Sequence, residues 1–479
     1  MARSTLFENG TVISFDDVSQ SLKILRNTSV LVVGDRIAAI FDSGSADSVE
    51  IPADTEKVSA ANKIISPGFV DTHRHGWQTA FRTLAPNTTL AQYIQRYGQY
   101  AVTTVFTPED VYYGQLTGIY EALNAGVTSI LDHAHSTWSA GAAEASLNAS
   151  IDSGVRMWWC YGFGAFNDEQ AGIFSQLSQS PRLAGSTVEY GMAFDSWSRA
   201  KPEEIEKVKT LARDAKISAF TTHHLGGPWM FDNGPSTLAR HGFLEDVPFP
   251  IVFSHASFLQ PADRALLRRH NHHVSITPES EMHYGHDHPN TPFVQDQAAL
   301  GVDTHFTFST DIVTQARLWL QATRRSLYRR TLEGWQIPNT NPMSANQAFL
   351  LATRNGGLAL RREDVGVVKV GAKADLVLFD GTSPNMLGWV DPVAAIILHS
   401  NVGDVKDVMV DGEWRKRDGK LVLKQDRAEV EEKFLKSARR IQKIWEETPL
   451  PVLDGEWSMG TKYAKTEEQN VVRGEGTGY

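Results

Sequence analysis

Between residues 63 and 360 the chain alternates apolar, strand-like runs with helical stretches, and no other feature restricts its fold as strongly. Strand candidates fall at 64–75, 126–135, 156–161, 188–193, 217–224, 251–255, 273–277 and 305–310. Helical segments at 89–101, 108–125, 202–215 and 261–270 separate several of them. Strands that alternate with helices pair in parallel. Eight such units close into a barrel whose chemistry sits at the C-terminal ends of the strands. The expected fold class is therefore α/β, a (β/α)8 TIM-like barrel.

The flanks have another texture. Residues 1–62 read as short strands at 4–7, 11–15, 29–33 and 36–40, and Asn9-Gly10 and Gly34-Asp35 are placed like hairpin turns. Residues 361–425 return to short strands at 375–379, 394–398, 405–410 and 413–417. Each piece is too small to bury a core alone, so the two chain ends are expected to form one β-sandwich domain beside the barrel of residues 63–360. Residues 426–479 complete the chain as a helix over 426–446 and a polar, Gly-rich tail over 461–479. A tail of this kind is either disordered or an arm resting on a neighbour, and a homodimer or homotetramer is the expected assembly.

A net charge of -10 and the lack of a basic patch argue against a nucleic-acid or anionic-membrane partner. Cys160 is the one cysteine, so neither an intrachain disulfide nor a cysteine zinc site can form. With no signal-peptide core at the N-terminus and no run of about 18 apolar residues, the expected location is cytoplasmic. Sixteen histidines exceed what structural roles usually require.

Several of those histidines fall at strand ends. His73 and His75 stand in i, i+2 register, which places both on one face of a strand while Arg74 points elsewhere. Two imidazoles on one rigid strand can share a cation at about 2.0 to 2.1 Å if it is zinc. The plainer reading is a hydrogen-bonded histidine pair. Further along, His223-His224 closes the fifth candidate strand, His255 the sixth, and Asp311 follows the eighth. Only one of two adjacent strand residues can face inward.

The set P-G-F-V-D-T-H-R-H (67–75), S-H-A-S-F-L (254–259), V-S-I-T-P-E-S-E-M (274–282), F-S-T-D (308–311) and G-A-K-A-D-L-V-L-F (371–379) resembles the amidohydrolase superfamily. It is most similar to the branch of cytosine, guanine and S-adenosylhomocysteine deaminases and triazine hydrolases. The resemblance implies one divalent metal ion, Zn2+ before Fe2+ or Mn2+, held by His73, His75, a fifth-strand histidine and Asp311. The family pattern favours His224, which precedes Leu225-Gly226, over His223. No lysine ends the fourth strand, so the bridge of the binuclear branches is absent. The same resemblance makes His255 the residue that orients a metal-bound hydroxide and Asp311 the general base, a role compatible with capping a helix.

One position departs from the family. Where deaminases carry a proton-shuttling glutamate, three residues after the ligand histidine, this chain has Gly227. Glu281, in P-E-S-E-M where relatives usually have P-R-S-N, is the expected substitute, with a surface glutamate as its alternative. Trp77, Gln78, Arg82, Trp138 and Tyr284 follow strand ends and suggest an aromatic pocket for a planar ring, while His133 and His135 read as supporting groups. The expected activity is hydrolysis of a C–N bond in a small heterocyclic compound, by deamination or cyclic amide opening. Decarboxylation, dehalogenation or cyclisation in the same pocket, with Glu281 as acid or base, is the alternative. A non-catalytic scaffold is opposed by the intact ligand set.

Overall fold

The structure, a computed structural model, describes residues 3–164, 166–288 and 291–474. Its centre is an eight-stranded parallel sheet in chain order: β1 (Phe69–Arg74), β2 (Val127–Ala134), β3 (Arg156–Phe163), β4 (Val188–Phe194), β5 (Phe220–Leu225), β6 (Ile251–Ser257), β7 (His273–Ile276) and β8 (Ala298–Leu300). Helices cover the outside, so every residue of β2, β3 and β6 is buried. The ring closes just beyond β8, where Asp303 N donates to His73 O at 2.8 Å and His75 N donates to Asp303 O at 3.2 Å.

Seven strands lie where the sequence places them and the eighth does not. The segment 305–310, expected to be β8, is a run of turns. The real strand is three residues long and pairs with β7 through Val274, Ser275 and Ile276. So short a strand shows no alternation to detect. The continuous run expected at 64–75 is also two strands. Lys63–Pro67 belongs to the flanking sheet, and the chain crosses into the barrel at Gly68, where a Cβ would lie 2.0 Å from the Thr128 hydroxyl.

That flanking sheet has nine strands and draws on both chain ends. Its seam pairs Lys63–Pro67 with Leu376–Asp380 on one side and with Ser4–Asp16 on the other. The strands expected at 4–7 and 11–15 are a single strand, because Asn9-Gly10 makes a bulge rather than a turn; Asn9 adopts φ 64° where the register slips. Gly34 is a true turn between Ser21–Val33 and Arg36–Asp42. The segment 394–398 is helical instead of extended. A buried clamp joins sheet to barrel: Arg156, the first residue of β3, donates to Asp375 at 2.7 and 3.1 Å and to Asp411 at 2.6 Å.

The final helix, Arg427–Glu447, packs on the residues after β1, with Trp445 4.8 Å from the Phe81 ring. Beyond it a small hairpin, Glu456–Ser458 with Thr461–Lys462, places Trp457 against Trp229. The last five residues of the polar tail lie outside the described residues. Among the described residues no helix is long and apolar enough to cross a membrane.

Candidate metal centre at the strand ends

Four imidazoles and one carboxylate converge where β1, β5, β6 and β8 end. Asp303 Oδ1 stands 3.3 Å from His73 Nε2 and 3.2 Å from His75 Nε2. His223 Nε2 lies 3.3 Å from His75 Nε2, and His255 Nε2 lies 4.0 Å from Asp303 Oδ2. Each ring is held from behind through its other nitrogen. His75 Nδ1 donates to His133 O at 2.9 Å, and His223 Nδ1 meets Asp195 Oδ2 at 2.8 Å. His73 Nδ1 pairs with Ser254 Oγ, and His255 Nδ1 with Thr277 Oγ1, both at 2.8 Å.

Two of these outer partners fix a tautomer. A carbonyl and a carboxylate only accept, so neutral His75 and His223 carry their protons on Nδ1 and present lone pairs from Nε2. Two lone pairs 3.3 Å apart repel unless something positive joins them. His73 Nε2 is buried and has no hydrogen-bond partner among the described residues. Inward nitrogens braced by outer hydrogen bonds, plus one carboxylate, are a donor set that suits a divalent cation.

Local sequence explains the convergence. Alternation along β1 brings His73 and His75 to one face, while Arg74 turns away to Asp71 at 2.8 Å. Gly301 lets the segment after β8 close on β1, since a Cβ there would lie 2.8 Å from His73 N. On β6 the alternation breaks: His255 and Ala256 have φ of 64° and 51°, a left-handed conformation rare for such residues. Consecutive residues Ser254 and His255 therefore both reach the centre.

Two of the expected ligands lie outside this cluster. His223, not His224, joins the cluster. His224 faces the other side of β5, packs against Gly234 and lines a separate cleft of about 660 Å3, with its Nδ1 4.0 Å from Asp232. Asp303, not Asp311, supplies the carboxylate. Asp311 caps the helix Ile312–Glu333, accepting from Val313 N at 2.9 Å and Thr314 Oγ1 at 2.8 Å. The eighth strand ends earlier than the sequence suggests, and the residues just after its true end are Gly301-Val302-Asp303.

Burial sets the charge states, modified by neighbours. It pushes Asp303 up, but the facing rings of His73 and His75, with His255 nearby, hold the carboxyl well below the usual carboxylate range. Burial lowers His73 well below the ordinary histidine value and His255 to about 3. His223 is raised, because Asp195 overcomes the effect of burial. Glu281 is buried and pushed up to about 7 by that burial. Its Oε1 accepts from Thr277 N at 2.9 Å and lies 3.6 Å from His255 Nδ1. Counted from His223, the glutamate position of the deaminases is Gly226, again a glycine.

The expected pocket residues are largely occupied elsewhere. Trp77 is buried, donates to His135 Nδ1 at 3.0 Å and packs on Trp138 at 5.2 Å. Gln78 is held by Tyr93 and Tyr97, Tyr284 by Thr304 and Thr307, and Arg82 pairs with Glu121 at the surface. Asp195, Ser254, Thr277 and His286 were not singled out in advance. Asp195 directly follows β4, a position the barrel reading makes worth inspecting, and it also lies 3.3 Å from His133 Nε2. The run H-Y-G-H-D-H over 283–288 was the visible signal for His286.

Comparison with known proteins places the chain among relatives of this architecture. The sequence pattern of the amidohydrolase family matches residues 64–415. A 5'-deoxyadenosine deaminase of Methanosarcina mazei is 25% identical over 445 residues, covering 89% of this chain and 96% of the relative. A 5-methylthioadenosine/S-adenosylhomocysteine deaminase of Thermococcus sibiricus is 26% identical over 433 residues, covering 85% and 93%. Among solved structures, a zinc-bound adenosine deaminase from Xanthomonas campestris superposes with a TM-score of 0.77 at 20% identity, covering 93% of this chain and 99% of that one. The atrazine chlorohydrolase of Arthrobacter aurescens TC1, complexed with zinc, gives 0.74 at 18% identity, covering 91% and 100%.

Proposed function

Because the chain belongs to the amidohydrolase family, we propose that His73, His75, His223 and Asp303 hold one divalent metal ion, zinc before iron or manganese, and that the site hydrolyses a C–N bond of a small heterocyclic compound. The activity is that of a hydrolase acting on C–N bonds other than peptide bonds. The observation that carries the metal assignment is the convergence of Nε2 lone pairs on Asp303, each backed by an outer hydrogen bond.

A bound zinc would supply an acidified water, with a pKa near 7 in such sites. The protein's own groups do the rest. Asp303 is ionised and reaches His73, His75 and His255, which suits it to take a proton from the attacking water. Thr277 links His255 to Glu281, its hydroxyl lying 2.8 Å from His255 Nδ1 and 3.3 Å from Glu281 Oε1. Glu281 thereby acts through His255, steadying that ring and exchanging a proton with it, rather than from the glycine position the deaminases use. Asp195 holds the His223 ring so that Nε2 faces inward.

The relatives suggest a purine nucleoside or a similar ring amine as substrate. The glycines at 226 and 227 favour keeping halogenated heterocycles in the same screen, since the usual proton shuttle is missing. The test is elemental analysis of the purified protein together with a panel of 5'-deoxyadenosine, 5'-methylthioadenosine, pyrimidine amines, cyclic amides and chlorinated triazines, read as ammonia, ring-opened product or chloride. One equivalent of zinc and release of ammonia are expected. Protein without bound metal, with a His73→Ala variant as active as wild type, overturns the proposal.

A further inference from the structure

The loop after β7 carries a histidine that the reading above does not use. His286 is 1% exposed, and among the described residues neither of its ring nitrogens has a hydrogen-bond partner. Its ring lies 4.7 Å from that of His255 at 75°. A solitary buried imidazole is unfavourable, because both a donor and an acceptor have left water without replacement. The loop nevertheless holds it there from both sides. Gly285 and Asp287 take left-handed φ of 78° and 47°, Asp287 N donates to Glu281 O at 3.1 Å, and Ser257 Oγ donates to Asp287 O at 2.6 Å. A strained non-glycine residue and a tether to the end of β6 turn this side chain inward.

We propose that His286 is a substrate-binding residue, whose neutral ring offers one of its nitrogens, as donor or acceptor, to a polar atom on the edge of the heterocycle lying beside His255. Burial and the neighbouring histidines keep the ring uncharged. The two ring nitrogens diverge, so one of them, as donor or as acceptor, can meet a single ring nitrogen, exocyclic amine or ring N–H. The polar contact missing at Gly226 and Gly227 is in this way supplied by the β7 loop. A site built to hydrogen-bond such an edge discriminates against analogues that lack it.

This inference rests on the hydrolase reading, and the experiment separates the two. His286→Leu and His286→Gln are compared with wild type for zinc content, urea unfolding midpoint and kcat/KM on the best substrate of the panel. Expected for His286→Leu are full zinc occupancy, an unchanged or higher midpoint, and kcat/KM lower by about 10- to 100-fold. His286→Gln, which keeps a donor and an acceptor, should recover to within about tenfold of wild type. Should His286→Leu fail to fold, His286→Asn, polar but shorter, carries the same expected loss. Wild-type kcat/KM in His286→Leu, or a loss that follows loss of zinc, overturns the assignment while leaving the hydrolase reading intact. A wild-type enzyme that turns over nothing in the panel removes that reading, and this inference falls with it.

Discussion

Asp303 and Asp311 give the sharpest test, because one carboxylate serves the cluster and the other serves a helix. Asp303→Asn keeps the shape but removes the negative charge from a point 3.2 to 3.3 Å from two ring nitrogens. Changes to outer groups alone typically cost 10- to 100-fold in metal affinity. Loss of an inner carboxylate should therefore exceed about 100-fold, near 3 kcal/mol. Asp311→Ala removes the two hydrogen bonds that start the helix Ile312–Glu333. That loss should cost about 1 kcal/mol of stability, and Asp311→Asn, an equally good cap, should cost almost nothing. The assay pairs chelator competition, followed by elemental analysis, with urea unfolding of the metal-loaded protein. Asp303→Asn should lose metal and turnover, whereas Asp311→Ala should keep both and unfold earlier. The opposite pattern, with metal lost from Asp311→Ala and kept by Asp303→Asn, would refute the assignment and restore Asp311 as ligand.

Three further outcomes are expected. His223→Ala should abolish stoichiometric zinc, whereas His224→Leu, on the other side of β5, should leave zinc content unchanged; equal zinc loss in both would show that the two faces of the strand had been misread. Glu279, which accepts from Gln315 at 2.9 Å, is raised to about 7 by burial. A raised carboxyl favours the folded state below its unfolded value near 4.5 and loses that contribution as pH rises through about 7, so Glu279→Gln should flatten the stability profile between pH 5 and 8 by roughly 1 to 3 kcal/mol; an unaltered profile in urea titrations at several pH values would rule this out. Arg156→Ala should leave two carboxylates facing each other between barrel and sheet and cost about 3 to 5 kcal/mol, and a thermal midpoint within a degree of wild type would show the clamp to be idle.

Much of this molecule was legible before any coordinates. Seven barrel strands, the origin of the flanking sheet in both chain ends and the closing helix all follow from the period of apolar residues, because long buried elements repeat their pattern several times. Short or irregular backbone leaves no period to read. The three-residue strand Ala298–Leu300 was passed over for the more β-like F-T-F-S-T, and with it the carboxylate moved from Asp303 to Asp311. Between His223 and His224, alternation states that one faces inward without saying which; the resemblance favours His224, whereas His223 faces the cluster. His255 reaches the cluster through a left-handed residue that breaks alternation altogether. Hydrogen-bond braces such as Asp195 and Thr277 depend on pairing across strands, which a linear reading cannot supply.

The first and last barrel strands meet at a seam closed through Asp303. Asp303 exchanges backbone hydrogen bonds with His73 and His75 while its side chain faces their rings. Ligands from opposite ends of the barrel segment therefore meet only when the ring is shut. A cation that binds this closed arrangement and not an open one adds its binding free energy to closure. Occupancy and closure become linked equilibria: stripping the ion should loosen the seam first, and amide hydrogens at His75 and Asp303 should exchange faster in the metal-free protein than those of β2 and β3, which lie away from it.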